Sequence, residues 1–368
     1  MTPASSAFVP SRLTLARERR GFTKAALAQA VGLTARSVVA YEQGAQEPHP
    51  RHLKAMSVAL GFPPEFFAGP DLVPAPLEAA SFRALKNLTA RRRMQAAGSA
   101  TIALAFSKWI DERFHLPAVT VPRLRYFADP SAAADLIRRE WGLGERPISN
   151  IVHLLEAHGV RVFSLAEECV EVDAFSLWIE DIPYVFLNTM KSAEHSRMDA
   201  AHELGHLCMH FGHDTPRGRD REREAQEFAA SFLMPRGSVL AQAPRRAYFD
   251  DLNQAKRIWK VSVAALVYRM RTLGMLTEWQ YRNAFIELSS RGYRRTELDG
   301  IPRETSLVLS KVFTALHQED VTRADIANDL VIPLRELNAV VFGLSLTPLT
   351  GGGRSTSRPR PELRVVEF

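Results

Sequence analysis

The segment of this chain best suited to chemistry is His202-Glu203-Leu204-Gly205-His206. On a helix, residues four apart share a face, so His202 and His206 present two imidazoles to one metal ion. Glu203 stands beside that pair, within reach of a water on the ion. A catalytic zinc needs three protein ligands and one open position. Such an ion lowers the pKa of its water to roughly 7, and a carboxylate placed like Glu203 takes the proton during attack on a carbonyl. Manganese is the alternative metal. A second helix downstream carries Glu222, Glu224 and Glu227, ahead of the apolar run Phe228 to Met234. Glu224 is expected as the third ligand, because Phe228 stands four residues later on the same face. His210 lies four residues past His206 and either lines the cleft or packs against it. Asp199 either orients His202 through its second ring nitrogen or has a helix-capping or solvent role.

A second chemistry is written near the start. Thr23 to Ala28 opens one short helix, Val31-Gly32-Leu33 makes a turn, and Thr34 caps a second helix from Ala35 to Gln43. Two short helices joined by a glycine turn are the helix-turn-helix plan, whose second helix enters the major groove of DNA. Thr34, Ala35, Arg36, Val39 and Ala40 are expected to face DNA. Arg36 suits a guanine edge or a phosphate, while Ser37, Gln43 and Lys24 suit phosphates. Val38 and Tyr41 are expected to point inward. Residues 1–70 hold eight Lys or Arg against four Glu, which fits an acidic partner.

The elements that must position these groups follow from the hydrophobic pattern. Helices are expected over Ser131–Trp141 and Ile148–His158, then a strand over Val160–Leu165. Glu171–Ile179 and Tyr184–Leu187 form a hairpin around Glu180-Asp181. Its first strand, from Ala174 to Ile179, either holds an extended peptide along its edge or simply closes the sheet. Helices return over Ser196–His210, Arg221–Met234 and Asp251–Leu273. Ahead of them lie a proline-marked linker, Pro70 to Pro76, a basic run, Arg83 to Arg93, and an apolar helix from Ala96 to Phe114. Arg323–Phe342 faintly echoes the N-terminal helix pair. The divisions expected are 8–70, a helix-turn-helix domain; 71–130, a linker and basic connector; 131–280, an α+β domain around the HExxH helix; 281–350, a helical region; and 351–368, a flexible tail. The fold class is multidomain and mainly α with a small β-sheet: an all-α domain, then an α+β domain with helical additions.

Composition bounds the rest. The chain has 368 residues, 46% of them hydrophobic, with a formal charge of +6 and two cysteines. That is ample for packed cores and excludes a disulfide framework or a cysteine zinc site. No apolar run reaches the roughly 18 residues of a membrane span. A cytoplasmic protein is expected, since so few cysteines suit a reducing compartment.

Residues 131–275 resemble the ImmA/IrrE family of metallopeptidases. The matching pieces are Trp141-Gly142-Leu143-Gly144, Leu154-Leu155-Glu156, Ala200 to Leu207, Glu224-Ala225 with Phe228-Ala229-Ala230, Leu233-Met234-Pro235 and Val261-Ser262. The resemblance implies a zinc-dependent regulatory endopeptidase acting on a repressor protein. The family often has Thr where Asp199 stands. Leu13 to Phe67 resembles the lambda-repressor-like Xre family through Tyr41-Glu42-Gln43-Gly44 and Leu60-Gly61-Phe62-Pro63. That implies a double-stranded DNA operator bound by a homodimer. The family commonly has Gln where Lys24 stands. The combined expectation is a transcription regulator with a zinc endopeptidase that cleaves a repressor or partner. Its rivals are a non-cleaving sensor and a self-cleaving repressor of phage or antitoxin type.

Overall fold

The computed structural model describes residues 8–76, 89–124, 129–165, 171–211, 218–293, 297 and 299–345. The expected tail 351–368, most of the basic run, Cys169 and His213 lie outside them. The N-terminal module is four helices: α1 (Pro10–Arg19), α2 (Lys24–Ala30), α3 (Ala35–Glu42) and α4 (Pro50–Leu60). Each start has a local cause. Pro10 and Pro50 occupy first turns, where a missing N–H costs nothing. The hydroxyls of Thr23 and Thr34 accept from the backbone N–H of Ala26 and Ser37. Leu13, Ala16, Leu27, Val38, Met56, Leu60 and Phe66 close a core around Tyr41.

A long helix follows, α5 (Ala90–Asp111), buried along most of its length from Gln95 to Ile110. It packs against α1. A Cβ on Gly98 would stand 3.1 Å from the Cα of Arg19, so only glycine lets the two backbones come this close.

The second module begins with α6 (Pro130–Glu140) and α7 (Ile151–Ala157). Three strands follow, β1 (Arg161–Ser164), β2 (Ala174–Ile179) and β3 (Ile182–Leu187), in sheet order β1-β3-β2. β1 runs parallel to β3, and β2 pairs with β3 as a hairpin. Glu180 and Asp181 both have positive φ, 46° and 65°, which gives the turn the twist a two-residue hairpin needs. α8 (Ala193–Met209) lies across β2 and β3, and α9 (Arg219–Leu233) packs along α8. α10 (Arg236–Gln242) comes next and was not expected from the pattern. The single helix expected over Asp251–Leu273 is two, α11 (Phe249–Trp259) and α12 (Val263–Thr272). Lys260 breaks it in the left-handed conformation, φ 55°, and Ser262 caps the new helix through the N–H of Ala265. α13 (Glu278–Ser290) follows.

The C-terminal helices, α14 (Leu307–Gln318), α15 (Arg323–Asp329) and α16 (Leu334–Val341), join the modules. Glu156 of α7 caps α14, accepting from Ser306 and from the N–H groups of Leu307 and Val308. Burial pushes its carboxyl up to about 7, against those hydrogen bonds. α15 and α16 do form the helix pair that echoes the N-terminus. α16, however, buries Leu337, Val340 and Val341 and packs on α5 and β1. It acts as a clasp, with its apolar stripe spent on α5 and β1. Arg12 of α1 reaches the carbonyls of Leu330 and Val331, Arg19 and Arg20 pair with Glu336, and Arg335 donates to the carbonyl of Gly61. One hydrophobic cluster therefore runs through both modules. Among the described residues, no helix is long and apolar enough to cross a membrane.

Candidate metal centre and DNA interface

Ser192 caps α8 through the N–H of His195, and the HExxH segment falls in the middle of that helix. Ala200, Ala201, Leu204 and Leu207 are buried, as an inward apolar face requires. A Cβ on Gly205 would stand 2.9 Å from the ring of Phe228, so α8 and α9 meet closely at this point. That contact brings the glutamates of α9 to the histidines of α8.

The glutamate that arrives is Glu222. Its carboxylate lies 3.3 Å from Nε2 of His202 and 3.6 Å from Nε2 of His206, and the two Nε2 atoms are 3.0 Å apart. Nitrogen and oxygen ligands about 2.0–2.2 Å from a tetrahedral ion stand roughly 3.3–3.5 Å from one another. The three donors form a triangle of that size, so they fit one divalent ion. Glu224, expected in this place, instead meets His210 at 3.1 Å. The reason is helix phase. The stripe of α9 buried on α8 contains Ala225, Phe228, Ala229 and Phe232. Residues 222 and 224 flank it on opposite sides, and the rotation of α9 turns the former to the His202–His206 pair.

Glu203 is 3% exposed and accepts a hydrogen bond of 2.6 Å from Ser176 on β2. Its ligand atoms and those of His202 and His206 lie within 4.8 Å of one another. Burial lowers the pKa of His206 to about 4. Burial also works against the charged forms of His202 and Glu222, but their mutual hydrogen bond outweighs it: His202 titrates above its ordinary value and Glu222 below. Burial raises Asp199 to about 7. That side chain lies 3.4 Å from Nε2 of His195 rather than bonded to His202, and its Oδ2 is buried without a hydrogen bond.

These groups line a cleft of about 910 Å³, with Asp173, Met198 and Tyr268 on its walls. β2 is an edge strand of the sheet, and its first residue, Ala174, also lines the cleft. His210 packs beside the cleft, one of the two places the sequence offers it, whereas Ser176 has no counterpart among the expected residues. Glu222 belonged to a visible acidic cluster, whereas a serine inside a strand carries no signal of its own.

The second site is α3. Thr34, Ala35, Arg36 and Gln43 are exposed, and Ser37, Val39 and Ala40 are half-buried. Val38 and Tyr41 are buried inward. Lys24 starts α2 and lies 3.4 Å from Glu42, the last residue of α3. Glu42 also receives Arg17 at 2.5 Å, which pins α1 to the end of α3. The C-terminal clasp bonds to Arg12, Arg19, Arg20 and Gly61, leaving the start of α3 open. Arg91 and Arg93, at the start of α5, are exposed, and Arg91 lies along Gly21.

Residues 155–271 match the family model described as an IrrE N-terminal-like domain of the Peptidase_M78 type. Residues 11–66 match the model described as a helix-turn-helix domain. No curated protein matches the chain.

Proposed function

From a chain that carries a helix-turn-helix domain followed by an IrrE-type peptidase domain, we propose a DNA-binding transcription regulator whose second domain is a zinc-dependent endopeptidase. The observation that carries this reading is the triangle of His202, His206 and Glu222 with Glu203 beside it in an open cleft. Imidazole and carboxylate donors in this geometry suit zinc first and manganese second. When bound, the ion supplies Lewis-acid chemistry, polarising a carbonyl and acidifying water.

The protein's own residues do the rest. Glu203 takes the proton of the attacking water and hands it to the departing amine. Ser176 donates to Oε2 of Glu203 and fixes the orientation of the carboxylate that takes that proton. Ala174 to Ile179, an edge strand beside α8, offers backbone groups to an extended peptide. The start of α3 reads the operator through Arg36, with Lys24, Ser37 and Gln43 on phosphates. The protein substrate is a repressor or another copy of this chain, and a homodimer on DNA is the working assembly.

The test uses the full chain, zinc-loaded, mixed with the repressor encoded by a neighbouring gene. New N-termini in the repressor or in the chain itself are the expected result. Glu203→Gln should keep its zinc and lose cleavage by at least the 10²–10⁴-fold that a general base contributes. A wild-type chain that binds zinc yet cleaves neither protein would make the domain a sensor.

A further inference from the structure

We infer that His210 and Glu224 are positioning residues that set the tautomer of His206 for metal binding. This rests on the metal-centre reading above. His202, His206 and His210 recur every four residues, the last as the C-cap of α8, with ring centroids 4.7 and 4.9 Å apart. Nε2 of His206 faces His202 and Glu222. Its other nitrogen, Nδ1, lies 2.8 Å from Nδ1 of His210. Nε2 of His210 lies 3.1 Å from Oε2 of Glu224. The side chains of His206 and His210 are 2% and 1% exposed, so water does not compete for these bonds.

The proton positions follow from valence. A nitrogen–nitrogen hydrogen bond holds one proton, so one imidazole donates and the other accepts. A metal takes only an unprotonated nitrogen. A neutral His206 with Nε2 free must therefore carry its proton on Nδ1 and donate it. His210 must then accept at Nδ1 and, being neutral, hold its own proton on Nε2. There it meets a carboxylate, which only accepts. The reverse arrangement sets a bare Nε2 of His210 against the lone pairs of Glu224 and puts a proton on the metal-facing nitrogen of His206. The carboxylate at the far end thus selects the tautomer that binds. Two anchors hold the relay in place. The N–H of His210 bonds back to the carbonyl of His206 at 3.1 Å, and Arg221 of α9 reaches the carbonyl of His210. α9 therefore contributes two carboxylates with separate tasks: Glu222 to the ion and Glu224 to the ring that orients a ligand. Outer partners of this kind support metal affinity by about 10–100-fold.

The experiment measures zinc affinity of the full chain by competition with a chromophoric chelator. His210→Phe keeps a ring of similar size but cannot accept from His206, and its affinity should fall about 10–100-fold. His210→Gln offers a carbonyl to the same proton and should stay within about threefold of wild type. Glu224→Leu should fall toward the His210→Phe value. A purely structural role would not change the second readout. In zinc-loaded chain with ¹⁵N-labelled histidine, one proton should couple to Nδ1 of both His206 and His210, and Glu224→Leu should lose it. Zinc affinity unchanged in folded His210→Phe and Glu224→Leu overturns the proposal, as does a proton resident on Nδ1 of His210. Should His210→Phe fail to fold, Glu224→Leu and the coupled proton still decide. A wild-type chain that takes up no zinc fails the metal-centre reading itself. A zinc-binding wild type with indifferent variants fails only the relay.

Discussion

Glu336→Gln tests whether the DNA-reading module and the peptidase module unfold as one body. The wild-type carboxylate receives Arg19 at 2.8 Å and Arg20 at 2.5 Å, and Arg335 lies 3.4 Å away. Glu336 and Arg19 are each 2% exposed at the side chain, Arg20 17%. Removing one partner of a buried ion pair costs about 3–5 kcal/mol, because a buried charge loses its counterion. Here one guanidinium is fully buried, the other half-screened, and the glutamine oxygen still accepts one bond, so about 3 kcal/mol is the expected loss. At roughly 2.1 cal/mol/K per residue, unfolding of the whole 368-residue chain carries about 0.8 kcal/mol/K, which converts that loss to a fall in Tm of about 4 °C. Were the first module to unfold alone, with an entropy of only about 0.1 kcal/mol/K, the same loss would shift its own transition by 20 °C or more and split the trace. Differential scanning calorimetry separates these outcomes. One transition moved by about 4 °C supports a single body. A shift under about 1 °C would mean that the Arg19–Glu336–Arg20 contact holds nothing together. The paired replacement Arg19→Met with Glu336→Leu should recover much of the loss, since apolar side chains can replace a buried ion pair at little cost.

Other outcomes follow from named groups. Glu222→Gln should weaken zinc binding more than about 100-fold, beyond what an outer partner contributes, while Glu227→Gln should leave it unchanged; equal losses in a chelator competition would refute the phase assigned to α9. Arg36→Ala should cost about 1–3 kcal/mol at the specific operator, and Lys24→Ala should weaken all duplexes and reduce the salt slope by about one. A chain beginning at residue 89 that retained full operator affinity in fluorescence anisotropy would remove α3 as the reader. Glu156 titrates near 7 when folded, against 4.5 when unfolded. The folded state therefore holds a proton that the unfolded chain releases, and the stability this brings is present below pH 4.5 and lost as pH rises to 7. The difference is about 3 kcal/mol. Urea titrations from pH 4.5 to 8 should show that decline in wild type and a flatter profile in Glu156→Gln; parallel profiles would refute the assignment.

What could be seen in the sequence was local. The HExxH pair needs only a helix and a four-residue spacing, and both are readable from residues 200–207. The N-terminal pair needs only threonine caps and glycine breaks, and these stand at Thr23, Gly32, Thr34 and Gly44. Glu180-Asp181 was placed correctly between two strands because alternating apolar residues flank it. The misses depend on what packs against what. Choosing Glu222 over Glu224 requires the rotation of α9 on α8, set by the contact of Gly205 with Phe228 across more than twenty residues of chain. Lys260 broke an expected helix because it takes a conformation usually left to glycine, and nothing in its side chain announces that. Ser176 became a partner of the candidate base only when β2 was laid beside α8.

The clasp is the largest of these tertiary effects, and it changes how the two modules must work together. Arg12 and Arg19 look like surface charges on a basic helix, a natural contribution to a DNA-binding face. The structure buries both, 1% and 2% exposed, against carbonyls and a carboxylate more than 300 residues away. Their charge is thus spent within the protein, and the proposed DNA contacts are left to Arg36, Lys24 and the exposed starts of α4 and α5. The segment Pro70–Pro76 is likewise no free tether, because α5 and α16 seat the first module directly on the second. Coupling between operator and cleft cannot then be tuned by linker length. Under the proposed function, a protein bound beside the operator would have to bring its cleavable segment to a cleft whose position relative to α3 is already set. Lengthening Pro70–Pro76 by a few residues should accordingly leave DNA binding and cleavage unchanged, whereas opening the Glu336 contact should alter both.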